Sequence, residues 1–201
     1  MLRVRYLLLV AAVCLSCNGS AASSAGPFPP LYEEARPFLA AIHQTRAAPL
    51  THKITGITVP HHLLAADLIA DAFQQTSGQT VDRIIILSPD HYSRSPTSFA
   101  VSRRPFQTVL GDVPLDDAAV EQVLQNGAVA GSNLFSHEHG VQALLPFVAH
   151  YFPLAKVVAL AINLKAKKPQ WEALAATLAP LLTPQTLIIQ STDFSHYLTA
   201  A

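Results

Sequence analysis

The chain has 201 residues, half of them hydrophobic and 13% charged, with 13 basic residues balancing 13 acidic ones. That composition suffices for one domain with a sizeable core and excludes wholesale disorder, while the charge balance leaves no basic face for nucleic acid or for an anionic membrane. Both cysteines, Cys14 and Cys17, stand near the N-terminus. The folded part therefore has no disulfide, no thiol nucleophile and no thiolate ligand, and a metal there must be held by His and carboxylate.

Residues 1–17 read as an export signal. Arg3 and Arg5 form a positive n-region, and Tyr6 to Val13 form an apolar run too short to span a bilayer. Ser16-Cys17 resembles a bacterial lipobox, although Cys14 stands where such motifs usually carry Leu. The expectation is an exported, cell-envelope protein with a lipid anchor on Cys17, tethered through a flexible linker over residues 18–30. Residues 31–201 then form the domain.

Leu31 to Thr45 reads as a helix that must accommodate Pro37. A β-branched run, Ile54 to Val59, ends at Pro60-His61-His62. Leu63 to Gln75 has apolar positions at helical spacing, with Gly78 as a stop. Arg83 to Leu87 contains four consecutive large apolar residues, which read as a strand buried on both faces, and it breaks at Ser88-Pro89 to present Asp90 and His91. This β-α-β order predicts a right-handed crossover, parallel strands, and His61 and His91 at one edge of the sheet.

Thr97 to Ser102 and Phe106 to Leu110 read as weaker strands joined as an edge hairpin. Asp116 or Asp117 caps a helix that runs to Leu124, and 126–136 reads as loop. Ser136-His137-Glu138-His139 opens a helix whose apolar face is Val141, Leu144, Leu145 and Val148. Lys156 to Ile162 is a buried strand, Gln170 to Leu182 a helix, and Thr186 to Gln190 a last strand ending in Ser191-Thr192-Asp193-Phe194-Ser195-His196.

Three strands thus end in a histidine or an Asp/His pair, at the sheet edge where open α/β folds bind ligands. Imidazole and carboxylate gathered at one rim suit a divalent metal of borderline hardness, and two His with one carboxylate is the non-haem iron pattern. An acid/base pair would use similar residues. His43, His52 and His150 fall outside this set, and His137 is intermediate. The chain has no Gly-x-Ser-x-Gly elbow, no phosphate-cradling glycine loop and no zincin helix.

Five short motifs in register resemble the Memo-like family, called AmmeMemoRadiSam system protein B in bacteria. They are Pro60-His61, Ser88-Pro89-Asp90-His91 against the family's Gly-Pro-Ser-His-His, Thr108-Val109-Leu110-Gly111, Glu138-His139-Gly140 with Leu145-Pro146-Phe147, and Ser191-Thr192-Asp193-Phe194-Ser195-His196. Here Asp90 replaces a serine, Gly140 a serine and Gln142 a frequent glutamate, while His62-Leu63 replaces Ala-Gly.

The resemblance implies a mostly parallel central sheet flanked by helices, similar to class III extradiol dioxygenases, with iron or copper as the favoured metal. It implies His61 and His91 as ligands and Glu138, His139, Asp193 and His196 as pocket residues, the last three expected to bind substrate, position oxygen or move protons; His62 and Asp90, adjacent to the two ligands in sequence, are expected in the pocket as well. A third ligand, a cysteine in some members, would lie beyond Tyr197, so the expectation is a C-terminally truncated domain or a site completed by another chain. The function expected is oxidative, dioxygenase-like chemistry, with functional association to a radical SAM protein. The alternatives are a lipid-anchored module holding a small molecule or peptide in the same cleft without turnover, and metal-dependent hydrolysis.

Overall fold

Ile84, Ile85 and Ile86 are all fully buried, and their alternation divides the molecule into two cores. Ile84 and Ile86 pack with Phe38, Phe73 and Phe147 on one face, whereas Ile85 packs with Val120, Val123, Leu174 and Leu178 on the other. This is the arrangement of a sheet covered by helices on both sides. The computed structural model describes residues 26–193. In chain order, helix α1 (Arg36–Gln44) precedes strand β1 (Gly56–Val59), helix α2 (Ala66–Thr76), strand β2 (Arg83–Pro89) and the short strands β3 (Phe99–Val101), β4 (Phe106–Thr108) and β5 (Gly111–Val113). Helix α3 (Asp117–Val123), strand β6 (Val129–Gly131), helices α4 (His139–Gln142) and α5 (Leu145–Tyr151), strand β7 (Lys156–Ile162), helix α6 (Lys168–Leu178) and strand β8 (Thr186–Ser191) follow.

The main sheet runs β1-β8-β2-β7-β3-β6. Strands β1, β8, β2 and β7 are mutually parallel, as the crossover argument predicts, and their C-terminal ends share one rim. The fold is α/β with a mostly parallel central sheet flanked by helices. No helix among the described residues is long and apolar enough to cross a membrane.

Several expectations are corrected. The run from Thr97 does not pair with the run from Phe106. Phe99, Ala100 and Val101 are fully buried and form an inner strand, antiparallel to β7 and parallel to β6, because a run buried on both faces belongs inside a sheet. The hairpin is instead β4–β5, with Phe106 opposite Val113 and Gly111 at φ +138, a conformation suited to glycine. The expected loop over 126–136 contains β6 and a single 3-10 turn, Leu134–Ser136.

Prolines set the helix bounds. Helix α1 begins at Arg36 rather than Leu31, which puts Pro37 in its first turn, where a missing N–H is no loss. The helix expected to run on from His139 is two, and α5 restarts with Pro146 in its first turn. Leu63–Ala65 is a 3-10 turn before α2, and the helix expected to end at Leu182 ends as α6 at Leu178 followed by another 3-10 turn. The expected tether is anchored before its end. Phe28 is buried, exchanges backbone hydrogen bonds with the Pro105–Gln107 segment, and lies 5.4 Å from the Phe106 ring under the Arg104 guanidinium.

At the opposite, N-terminal rim, Asp116 caps α3 by accepting the Ala119 N–H at 3.1 Å and pairs with Arg83 Nε at 2.6 Å. Arg83 also donates to the Leu181 carbonyl, so one carboxylate ties β2, α3 and the segment after α6 together. Asp116→Ala is expected to lower stability by about 1–2 kcal/mol through the lost cap alone, while Asp116→Asn, which keeps a capping oxygen, should lose less. Urea unfolding of the two variants checks this.

Candidate metal centre

Register assembles the site. In the parallel β1–β8 pair Val59 lies opposite Ser191, so His61 and Asp193, each two residues further on, leave the sheet side by side. Ser191 Oγ lies 2.9 Å from His61 Nδ1, and Asp193 Oδ1 lies 3.1 Å from His61 Nε2. Strand β2, on the other side of β8, ends at Pro89, so His91 also stands two residues beyond its strand. The His61 and His91 rings meet edge to face with centroids 4.8 Å apart.

Helix α4 supplies the rest. Glu138 is its N-cap and is fully buried. Its Oε1 accepts from His91 Nδ1 at 2.6 Å and from the Gly140 N–H at 3.0 Å, and its Oε2 accepts the His91 backbone N–H at 3.1 Å. His139, the first residue of α4, lies 4.0 Å from the His91 ring and 5.3 Å from that of His61, centroid to centroid.

The hydrogen bonds fix which nitrogen of each ring faces the cluster. Ser191 has one hydroxyl proton, and it is donated to the Gly140 carbonyl, so towards His61 the serine accepts and His61 Nδ1 carries the hydrogen. The lone pair of neutral His61 is then on Nε2, which is buried and makes no hydrogen bond of acceptable geometry among the described residues, although it lies 3.1 Å from the Asp193 carboxylate. A lone pair and a carboxylate oxygen at that distance repel unless a cation, proton or metal, neutralises them. Glu138 can only accept, so His91 Nδ1 also bears hydrogen and leaves Nε2 as donor to a metal. The Nδ1 of His139 faces Tyr92 Oη at 3.4 Å and Glu138 Oε1 at 3.8 Å.

One donor nitrogen from each of His61, His91 and His139 lies within 4.8 Å of the other two. Two nitrogens bound to one ion at about 2.1 Å can be at most about 4.2 Å apart, so the set closes slightly on a metal. In donor type and second-sphere support the residues fit a transition-metal ion, and His139, expected among the catalytic groups, is a third nitrogen of the set.

Burial acts on all three rings. Desolvation lowers the pKa of His61, with the charge of Asp193 opposing and those of His91 and His139 adding to the fall. His139 is lowered in the same way, chiefly by burial and then by His91. Burial also pulls His91 down, but its hydrogen bond to Glu138 and the charges of Glu138, Asp193 and Asp90 together outweigh it, and the pKa rises. Two of the three rings therefore stay neutral, the form that ligates, to lower pH than a free imidazole.

The remaining sequence candidates sit as follows. His62 is exposed, and its Nδ1 accepts the Leu64 N–H. Asp90 is buried, and its two oxygens accept the backbone N–H groups of Arg94 and Ser95, so it shapes a loop instead of lining the cluster. His196, Cys17 and the export signal lie outside the described residues. Three residues went unassigned in the sequence: Ser191, Tyr92 and Ser88, the last of which fills the space where a side chain at Gly140 would go. The signal for Ser191 was its place at the end of β8, two residues before Asp193.

A parallel sheet that gathers three imidazoles and two carboxylates at its C-terminal rim defines a class of α/β proteins with a candidate metal centre. The family model described as "Memo-like protein" matches residues 21–200, and the chain belongs to that family. Among curated relatives, a MEMO1 family protein of Thermotoga maritima is 32% identical over 118 residues, covering 57% of this chain and 42% of the relative. A MEMO1 family protein of Pyrobaculum arsenaticum is 26% identical over 156 residues, 74% of this chain and 55% of the relative. One of Methanopyrus kandleri is 24% identical over 163 residues, 77% and 56% respectively. The chain spans about half the length of the curated relatives it matches.

Two outcomes follow from this geometry. In metal-free protein His91 should titrate above the ordinary 6.5, and Glu138→Gln, which leaves desolvation unopposed by that charge, should bring it down. Because the folded state holds this proton more tightly than the unfolded chain, the stability it contributes is complete below 6.5 and is lost as pH rises through the folded value. NMR titration of the imidazole, with unfolding measured across the same pH range, reads both. Separately, a Cβ on Gly140 would collide with Ser88 Oγ and come 3.0 Å from His91 Cε1. Gly140→Ser is expected to cost about 1–3 kcal/mol and to displace His91, and adding Ser88→Gly should recover most of the loss in thermal unfolding.

Proposed function

We propose that this Memo-like protein holds a divalent or redox-active metal ion through His61, His91 and His139 and serves oxidative, dioxygenase-like chemistry on a small molecule at the cell envelope. The observation that supports it most is the buried Nε2 of His61, which makes no hydrogen bond among the described residues and faces both two further imidazoles and a carboxylate. Iron(II) or copper, when bound, would supply redox and Lewis-acid chemistry. The chain's own residues do the rest. Glu138 holds His91 by two hydrogen bonds and fixes the ring's orientation, and Ser191 does the same for His61. Asp193, partly exposed beside His61, is the group suited to take or hold a proton from a bound hydroxyl, and His196 is assigned to the same task from the sequence.

The envelope location rests on Arg3, Arg5, the apolar run to Val13 and the lipobox-like Cys17. The reading is tested by elemental analysis of purified wild type beside a His61→Ala/His91→Ala double variant. Metal should be present in the first and absent from the second, and equal content in both would overturn the ligand set. Oxygen uptake by the metal-loaded protein tests the chemistry. Ligand binding with no uptake would instead favour a module that holds a small molecule or peptide without turnover.

A further inference from the structure

The loop after His91 is built with more care than a surface connection needs. Asp90, only 1% exposed, accepts N–H bonds from Arg94 at 3.0 Å and Ser95 at 2.7 Å, while the Asp90 carbonyl accepts the Ser93 N–H at 3.2 Å. Ser93 is the one non-glycine residue at positive φ among the described residues, at +50. Strain of that kind in a non-glycine residue persists where its surroundings enforce it, and it clusters at ligand-binding sites. What this turn delivers is Tyr92 and Arg94. The Tyr92 ring is 51% exposed, lies 6.0 Å from the His139 ring, and has its hydroxyl 3.4 Å from His139 Nδ1. The Arg94 guanidinium carbon lies 5.2 Å from the centroid of the same ring. Arg83 and Arg103 are held by Asp116 and Glu121, and Arg104 by two backbone carbonyls, whereas the exposed Arg36, Arg46 and Arg94 make no ion pair or side-chain hydrogen bond among the described residues, and of these three it is Arg94 that lies over Tyr92.

A guanidinium with an open hydrogen-bonding fork, lying over one face of an exposed tyrosine whose hydroxyl reaches the candidate metal rim, matches one kind of ligand. The fork pairs with a carboxylate in two parallel hydrogen bonds, and the phenol ring offers a flat apolar wall. Glu138 and Asp193 disfavour a dianion close to the rim, so a monoanion fits better than a phosphate.

We propose that Tyr92 and Arg94 form a recognition arm for a small planar monocarboxylate, whose carboxylate pairs with Arg94 and whose body lies along Tyr92 towards His139. This rests on the metal-binding reading above and extends it to a substrate class. The test uses the full chain loaded with cobalt(II), whose visible spectrum reports on its ligands, titrated with benzoate and with the neutral isostere benzamide. Benzoate should bind wild type more tightly than benzamide does. Arg94→Ala should weaken benzoate by about ten- to a hundredfold, the worth of a charge-assisted hydrogen bond, and leave cobalt affinity and benzamide binding unchanged. Arg94→Lys should recover part of the loss. Failure of wild type to bind cobalt would overturn both the centre and the arm. Cobalt bound normally, with benzoate no tighter than benzamide or equally tight in wild type and Arg94→Ala, would overturn the arm alone.

Discussion

A carboxylate sealed from water must be surrounded by donors, and the rim of this sheet is organised around that requirement at Glu138. Its three hydrogen bonds reach the His91 ring, the His91 backbone and the first turn of α4. One buried charge therefore joins β2 to α4 and, in doing so, sets the spacing of His91 and His139. Removing it would leave two ring positions unspecified together. The same residue explains why His91 keeps a proton more readily than its neighbours: the anion that orients the ring also favours its charged form. A bound metal and that proton compete for one imidazole, so orientation comes at a cost in affinity that falls as pH rises.

The second constraint is register. Parallel pairing sets Val59 beside Ser191 and Leu87 beside Gln190, so three chains reach the rim level with one another. A slip of one residue in β8 would turn Ser191 and Asp193 away from His61, because side chains alternate between faces. The fully buried Ile84, Ile86, Leu187 and Ile189 resist such a slip, since it would carry the apolar residues of both strands into the wrong core. The geometry of the rim is thus underwritten by packing in the middle of the sheet.

Much of this was legible in the sequence because it depends on short-range signals. The β-branched runs and the residues after them gave the strands, their parallel order and the two histidines His61 and His91. What escaped was set by contacts distant in sequence. Glu138 meets His91 across 47 positions, and nothing local distinguishes a capping glutamate from one that clamps an imidazole. His139 read as a catalytic group, and the third ligand was sought beyond Tyr197, because the approach of α4 to β2 is a tertiary fact. Phe99 to Val101 read as an edge strand because three residues are too few to show burial on both faces. The terminal positions Cys17 and His196 lie outside the described residues, so those readings stand on sequence alone.

The residues around the rim divide into a packed layer behind the imidazoles and a loop in front of them. A side chain at Gly140 would collide with Ser88 Oγ, so the space between β2 and α4 is filled once, from the strand side. Asp90 and Tyr92 belong to the turn that follows β2. Asp90 closes a loop by its backbone N–H groups, and Tyr92 stands at the mouth of the rim. Close packing behind the imidazoles thus holds the rings in place, while the loop in front of them presents Tyr92. Under the metal-binding reading proposed above, residues 90–95 would set what reaches the rim, and the three imidazoles would set what it meets there.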